Sequence, residues 1–159
     1  MHAVSTLRWR PLIISILIPL AVGGLSAFVT RDGMEVYGSL NQPPLSPPGW
    51  LFPVVWTILF LLMGISSYLV YVSDHSGKRT ALTLYGVQLV FNFLWSVWFF
   101  NLGAYEFAFF WLIFLWLLIL AMIVQFYRVN RNAALLQLPY LIWVAFAGYL
   151  NAGVWLLNP

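Results

Sequence analysis

Residues 107–124 read FAFFWLIFLWLLILAMIV and contain no charged, amide or hydroxyl side chain. A helix needs roughly 20 apolar residues to cross the ~30 Å hydrocarbon core of a bilayer. Four further apolar stretches accompany this run, and the five predicted spans are residues 12–30, 50–73, 80–101, 105–127 and 134–157. Asp, Glu, Lys and Arg occur only between the spans or at their ends. The chain is therefore predicted to be an integral membrane protein.

The composition supports the same interpretation, since 63% of the 159 residues are hydrophobic and only 7% are charged. Soluble domains carry about 25% charged residues. Lipid cannot satisfy backbone polar groups, and the spans lack the alternating pattern of barrel strands, so α-helices are the spanning element that suits them. We predict an all-α fold, a single domain over residues 1–159 built as a bundle of five transmembrane helices. The lack of cysteine excludes disulfides and thiolate metal sites, and the net charge of +3 lies in loops, so no nucleic-acid partner is expected.

The distribution of basic residues predicts the orientation of the chain. Six of the seven lie on one side of the five spans: Arg8, Arg10, Lys78, Arg79, Arg128 and Arg131. Only Arg31 lies on the other side. Because basic residues accumulate on the cytoplasmic side, the N-terminus is expected to be cytoplasmic. Residues 1–10 and the apolar run after them also suit a signal peptide, but the run continues to Val29 without a small-residue cleavage site, which favours a span.

The first connection, residues 31–49, is the longest and is predicted to be a loop. Its proline-dense part, residues 43–48, reads PPLSPP. Because proline fixes φ and lacks a backbone donor, this part is predicted to be extended or turn-like and not a flexible linker. Such a loop either covers the mouth of a cavity or serves as a passive connector, and its length alone does not decide between the two.

The third span carries polar side chains along one face of its predicted helix. Gln88, Asn92, Trp95, Ser96 and Phe99 share one face of a helix. Because an amide in hydrocarbon is costly unless it is hydrogen-bonded, this face is predicted to point into the bundle. Its amides either join neighbouring helices or contact a ligand, and the sequence leaves both interpretations open.

Two other spans carry aromatic faces whose members are four residues apart. They are Trp56, Phe60 and Gly64 in the second span, and Pro139, Trp143, Ala147 and Asn151 in the fifth. Aromatic walls with a few neutral amides predict a site for a flat, largely apolar molecule with some polar edges. In the first span, Gly23 and Ala27 allow close approach of another helix, either within the bundle or in a dimer.

Three blocks of the sequence resemble the signature of the translocator protein/peripheral benzodiazepine receptor family, whose bacterial members are called tryptophan-rich sensory proteins. Residues 43–56 read PPLSPPGWLFPVVW, residues 88–95 read QLVFNFLW, and residues 139–147 read PYLIWVAFA. The blocks occur in the order and at the separations of the family, and the resemblance covers essentially the whole chain. It implies a bacterial-type member, a multi-pass protein of the bacterial cell membrane.

The resemblance implies a five-helix bundle, often a homodimer, whose central pocket binds porphyrins such as protoporphyrin IX and benzodiazepine-type ligands beneath the first loop. Porphyrin is then a ligand, and no resident cofactor is required. The implied binding residues are Tyr37, Pro43, Trp50, Phe52, Trp56, Gln88, Asn92, Phe93, Trp95, Ser96, Trp143, Phe146, Ala147 and Asn151. Some members are reported to degrade porphyrin in light, and Trp56 and Trp143 are the implied catalytic candidates for that reaction.

Two departures from the family pattern reduce the aromatic surface that the first loop can stack on a ligand. Val36 and Leu45 stand where many members have Trp, so weaker ligand affinity or photochemistry is expected. Animal members also carry a sterol-recognition pattern that needs a basic residue after a tyrosine at the end of the fifth span. No Lys or Arg follows Arg131 here, so sterol binding is not expected.

Three functional classes suit a membrane bundle with such a cavity: a sensor or carrier for tetrapyrroles, an enzyme, and a transporter. Conventional acid–base or nucleophilic catalysis is disfavoured because the side chains that titrate near neutrality, His2 and His75, lie outside the spans. A gradient-coupled transporter is disfavoured because five spans do not divide into equal inverted repeats and no ionisable residue lies at mid-membrane. No pair of strong axial ligands is offered to an iron porphyrin, so no metal site is expected. We predict a receptor, sensor or carrier for porphyrins, with light-dependent porphyrin degradation as the alternative.

Overall fold

The computed structural model describes residues 7–159 and contains no β-strand within that range. Its helices, in chain order, are α1 (Trp9–Val29), α2 (Arg31–Ser39), α3 (Leu51–Tyr71), α4 (Lys78–Ser96), a π-helical turn (Val97–Asn101), α5 (Tyr105–Val129), α6 (Arg131–Leu136) and α7 (Leu138–Leu157). Five segments are long and apolar enough to cross a membrane, and their ends lie within three residues of the predicted spans. The predicted all-α bundle of five transmembrane helices is confirmed. His2 lies outside the described residues.

The spans pack side by side through small residues and indole hydrogen bonds. α1 lies directly on α3, where a Cβ atom at Gly64 would be only 2.6 Å from the Cα atom of Ile16. α4 and α5 are joined by Trp111, whose ring stacks on Phe91 at a centroid distance of 4.3 Å and whose Nε1 donates to the Phe91 carbonyl at 2.9 Å. Trp116 donates to a backbone carbonyl of α7 at 3.2 Å. As a result α5 lies behind α4 and α7, on the far side from α1.

The fifth span, predicted over residues 134–157, crosses as one segment of Arg131–Leu157, but its helix is interrupted. α6 ends at Leu136, and α7 begins at Leu138 with Pro139 in its first turn. A proline inside a helix lacks the N–H needed for the preceding turn and collides with the carbonyl four residues earlier, so the backbone restarts at this point. The side chain of Asn130 accepts a hydrogen bond from the Ala133 N–H at 3.0 Å and begins α6.

The first connection is half helical, and the prediction of a loop across residues 31–49 is wrong for Arg31–Ser39, which form α2. The prolines that disfavour a helix begin only at Pro43, and Asp32 in the first turn of α2 complements the helix dipole. Gly33 and Tyr37, one turn apart, form the buried face of α2. The backbone after α2 is irregular, as predicted for the proline-dense part. We call residues 31–50 the lid.

The lid is fastened to the end of α7 by backbone and amide hydrogen bonds. The Asn41 N–H donates to Asn158 Oδ1 at 3.1 Å, and Asn158 Nδ2 donates back to the Asn41 carbonyl at 2.8 Å. About two and a half turns earlier in α7, the Tyr149 hydroxyl donates to the Pro44 carbonyl at 2.7 Å. These contacts, together with the position of Met34 and Tyr37 over the bundle, make the lid a cover and not a passive connector.

Candidate functional site

A cavity of about 370 Å³ lies within the bundle beneath the lid. Its walls come from α1, α2, α3, α7 and from α4 with its π-helical turn, while the all-apolar α5 supplies no lining residue among those described. The lining consists of Leu20, Gly23, Gly24, Ser26, Ala27, Thr30, Met34, Tyr37, Phe52, Pro53, Trp56, Thr57, Phe60, Asn92, Trp95, Ser96, Phe99, Phe100, Trp143, Ala147, Leu150 and Asn151. Every charged side chain of the described residues lies outside this lining, so the cavity is electrically neutral.

A buried hydrogen-bond chain joins the polar face of α4 to α7. Asn92 Nδ2 donates to the Tyr140 hydroxyl at 2.7 Å, and that hydroxyl donates to Gln88 Oε1 at 2.6 Å. Tyr140 and Gln88 are fully buried, and neither lines the cavity. The amides of α4 could either join neighbouring helices or contact a ligand. Gln88 joins helices, whereas Asn92 both joins helices and faces the cavity.

Asn151 holds the indole of Trp95 in place. Trp95 Nε1 donates to Asn151 Oδ1 at 3.0 Å, and Asn151 Nδ2 donates to the Tyr105 carbonyl at 2.8 Å. Both ends of this amide are therefore engaged within the protein, and one side chain links α4, α5 and α7. The Trp95 ring is stacked on Phe99 at a centroid distance of 5.3 Å, which leaves its plane fixed against the cavity.

Aromatic rings from three elements form the opposite walls. Trp56 stacks on Phe60 with ring centroids 5.6 Å apart and an interplanar angle of 28°. Phe52 contacts Trp143 edge-on at 6.0 Å, and Tyr37 of the lid contacts Phe52 edge-on at 6.0 Å. The chain of contacts runs from the lid through α3 to α7, so the cavity is bounded by rings that already support one another.

One buried polar side-chain atom of the cavity wall has no partner within the described residues. The Nε1 atom of Trp143 is buried and makes no hydrogen bond there, although a buried indole N–H usually finds an acceptor. In the lid, burial raises the pKa of the Tyr37 phenol above its usual value, so this hydroxyl stays neutral. The site therefore offers neutral hydrogen-bond donors to a largely apolar ligand.

Nine of the fourteen residues implied by the family resemblance line the cavity: Tyr37, Phe52, Trp56, Asn92, Trp95, Ser96, Trp143, Ala147 and Asn151. The other five lie outside the lining of this cavity. They are Pro43, Trp50, Gln88, Phe93 and Phe146.

Each of these five side chains lies outside the cavity lining for a separate physical reason. Trp50 is 67% exposed at the start of α3, where a tryptophan suits the membrane interface. Pro43 is buried against Gly153, where an added Cβ atom would collide with the proline ring. Phe146 packs its ring on Trp143 at 5.6 Å, behind the cavity wall. Gln88 is occupied by Tyr140, and Phe93 is half-buried on another face of α4.

The α1 wall is the part of the cavity that the sequence prediction missed. Gly23, Ser26 and Ala27 line it, although nothing in the sequence indicated a cavity beside α1. The cluster of small residues was the available signal, and it was assigned to close helix approach. At Gly23 that approach occurs within the bundle, because a Cβ atom there would be 2.5 Å from the Phe60 ring.

Comparison with known proteins agrees with this architecture. The model of the TspO/MBR family matches residues 15–156. The chain is 39% identical over 145 residues to the tryptophan-rich protein TspO of Chlorobaculum tepidum, which covers 88% of this chain and 90% of the relative. It is 37% identical over 124 residues to the tryptophan-rich sensory protein of Cereibacter sphaeroides, with 78% and 77% covered. It is 34% identical over 151 residues to the translocator protein of Bos taurus, with 92% and 89% covered. This multi-pass membrane protein belongs to the TspO/MBR family.

Proposed function

We propose that the protein is a membrane receptor, sensor or carrier that binds porphyrins of the protoporphyrin IX type, and benzodiazepine-type ligands, in the cavity beneath the lid. The observation that carries the proposal is a neutral cavity of about 370 Å³ walled by aromatic rings. This volume falls in the range of roughly 300–1,000 Å³ typical of small-molecule sites. The names of the sensory and translocator relatives support a role in sensing or carrying a ligand.

The chemistry of the walls matches a flat, largely apolar ring system. Trp56, Trp95 and Trp143 offer ring surfaces on three different helices. Asn92 and the unpartnered Nε1 atom of Trp143 offer polar contacts to groups at the edge of the ring system. Since no charge is buried, binding relies on stacking and dispersion with a few neutral hydrogen bonds, and it does not require iron.

A titration of the purified protein with protoporphyrin IX, followed by quenching of tryptophan fluorescence in the dark, tests the proposal. Trp143→Phe and Asn92→Ala should each weaken binding several-fold, because a stacked aromatic or a neutral hydrogen bond contributes about 1 kcal/mol. Trp50→Phe is the matched control, since this indole lies outside the cavity. Equal weakening by all three substitutions, or no binding at all, would contradict the proposed site.

Light-dependent porphyrin degradation is the second candidate function. It is favoured by one observation: both implied candidates, Trp56 and Trp143, line the cavity and would face a bound pigment. Loss of porphyrin absorbance in light but not in darkness, abolished in Trp56→Phe or Trp143→Phe, would support it. Equal bleaching of porphyrin with and without the protein would exclude it.

We also propose a homodimer in the bacterial cell membrane, from the family resemblance, and a cytoplasmic N-terminus, from the distribution of basic residues. The basic ends of the helices support this orientation, because Arg8, Lys78 and Arg128 lie on the side opposite the lid. Gly23 is not expected to supply the dimer contact, because it is already packed on Phe60. Cross-linking of the protein in vesicles measures the association.

A further inference from the structure

The lid closes the cavity on the aqueous side. It is held by the reciprocal Asn41–Asn158 pair, by the Tyr149 hydroxyl and by Pro43 seated against Gly153. These contacts all join the lid to α7. Opening the lid would break them together, so the aqueous side is a costly route into the cavity.

The exposed part of the cavity lining lies elsewhere. Of the 22 lining residues, only four are exposed, and all four belong to α1 or α3: Gly24, Ala27, Pro53 and Thr57. The lining residues contributed by α2, α4, its π-helical turn and α7 are buried or half-buried. A residue that lines a cavity and is also exposed marks its mouth. The mouth of this cavity is therefore the seam between α1 and α3.

The position of the mouth relative to the helix ends places it within the membrane. Gly24 and Ala27 precede the end of α1 by five and two residues, and Thr57 and Pro53 follow the start of α3 by six and two. At about 1.5 Å per residue, the mouth extends from roughly 3 to 9 Å inside the helix ends on the lid side. Half of the hydrocarbon core is about 15 Å thick, so the mouth opens into the leaflet on the lid side and not into water.

The seam closes just below the mouth. Gly23, next to Gly24, receives the ring of Phe60, and further from the lid Gly64 brings α3 against the backbone of Ile16. Neither contact leaves room between the two helices. The rim is largely apolar, because the Thr57 hydroxyl donates its hydrogen to the carbonyl of Pro53 at 2.6 Å and offers no donor to a ligand.

From these observations we propose that ligands enter and leave the cavity sideways, from the lipid leaflet on the lid side, through the gap between α1 and α3. The proposal rests on the proposed porphyrin-binding function. It adds that the ligand is a solute already dissolved in the bilayer, selected by its partition into lipid as well as by its fit. The small side chains of the rim keep the gap open, so their size controls the rate of exchange.

The first test compares two substitutions on α1 in protein reconstituted into lipid vesicles. Ala27→Phe puts a ring at the mouth, whereas Ala21→Phe puts the same ring at an exposed position of α1 that does not line the cavity. Stopped-flow quenching with protoporphyrin IX should show association and dissociation slowed at least about tenfold in Ala27→Phe, with both rates unchanged in Ala21→Phe. Unchanged rates in Ala27→Phe would overturn the lateral route.

A second variant tests the alternative route through the lid. Asn41→Cys together with Asn158→Cys, joined by a short bifunctional thiol reagent, locks the lid to α7 in a chain that otherwise has no cysteine. The lateral route predicts unchanged porphyrin rates after cross-linking. Rates that fall on cross-linking, while Ala27→Phe has no effect, would assign entry to the lid.

A third measurement separates failure of the entry route from failure of the proposed function. A single cysteine in place of Ala147, which is buried and lines the cavity, reports access without any porphyrin. A lipid-soluble maleimide should label it, and adding Ala27→Phe should slow the labelling at least about tenfold. Slowed labelling without porphyrin binding would refute the ligand but keep the route, whereas unchanged labelling would refute the route itself.

Discussion

Two adjacent glycines of α1 should differ in how the same substitution changes the stability of the protein. At Gly23 an added Cβ atom would lie 2.5 and 2.7 Å from two carbons of the Phe60 ring. At Gly24 an added Cβ atom would meet nothing within 4 Å. Non-bonded carbon atoms prefer separations of about 3.5–4.0 Å, so Gly23→Ala requires the ring to move by about 1 Å, while Gly24→Ala requires no movement.

The magnitude follows from two opposing contributions. Alanine is a better helix former than glycine by about 1 kcal/mol, and this gain applies equally to both variants. Overpacking in a filled interior costs about 1–3 kcal/mol, and it applies only to Gly23→Ala. Phe60 lines the cavity, so its ring can yield toward open space, which puts the cost near the lower end, about 1 kcal/mol. The difference between the variants removes the contribution of helix propensity and isolates the contact with Phe60.

Equilibrium unfolding of the two variants and the wild type in mixed micelles measures this difference. We expect Gly24→Ala to be the more stable variant by at least about 1 kcal/mol. A ring displaced into the cavity also narrows it, so Gly23→Ala should bind protoporphyrin IX more weakly than Gly24→Ala. Equal stability and equal affinity of the two variants would refute the packing of Gly23 on Phe60 and, with it, the placement of α1 as a cavity wall.

Three further predictions follow from the same contacts. Tyr140→Phe removes a hydroxyl that accepts from Asn92 and donates to Gln88, so unfolding measurements should show a loss of about 1–3 kcal/mol; an unchanged stability would mean that the buried chain is not formed. Metal-free protoporphyrin should bind at least as well as haem, and His75→Ala should leave both affinities unchanged, because His75 lies in the connection between α3 and α4 on the side opposite the lid; a histidine-ligated haem spectrum lost in His75→Ala would contradict this. An impermeant thiol reagent applied to intact cells should label a single cysteine at Ser39 and spare one at His75, and the reverse pattern would invert the proposed orientation.

The spans could be predicted because the signal is local. Residues 107–124 have no polar side chain that a soluble fold would expose, and five such runs leave a helical bundle as the architecture that satisfies the backbone in lipid. The break in the fifth span was foreseeable as well, since Pro139 cannot continue a helix from the preceding turn. The helix α2 was harder to predict, because its nine residues are held by packing of Gly33 and Tyr37 on the bundle and not by their own propensity.

From the sequence, the site could be predicted only as the faces of the helices that would line it. Spacing placed Asn92, Trp95 and Ser96 on one face, and the structure puts all three in the cavity wall. The same spacing included Gln88, which lies one turn further from the lid and meets Tyr140 before it meets the cavity. A helical face describes direction around an axis. It carries no information about how far along that axis a cavity extends.

The sequence by itself determined what depends on neighbouring residues along the chain: the number of membrane spans, their lengths, the irregular backbone around the prolines and the polar face of α4. The tertiary structure alone decided what depends on distance between helices. It made Gly23 part of a cavity wall, fixed Asn151 between Trp95 and Tyr105, and left the seam between α1 and α3 open near Ala27. The physical reason is that hydropathy and helical periodicity are properties of one segment in lipid, whereas a cavity is the space that several packed segments fail to fill.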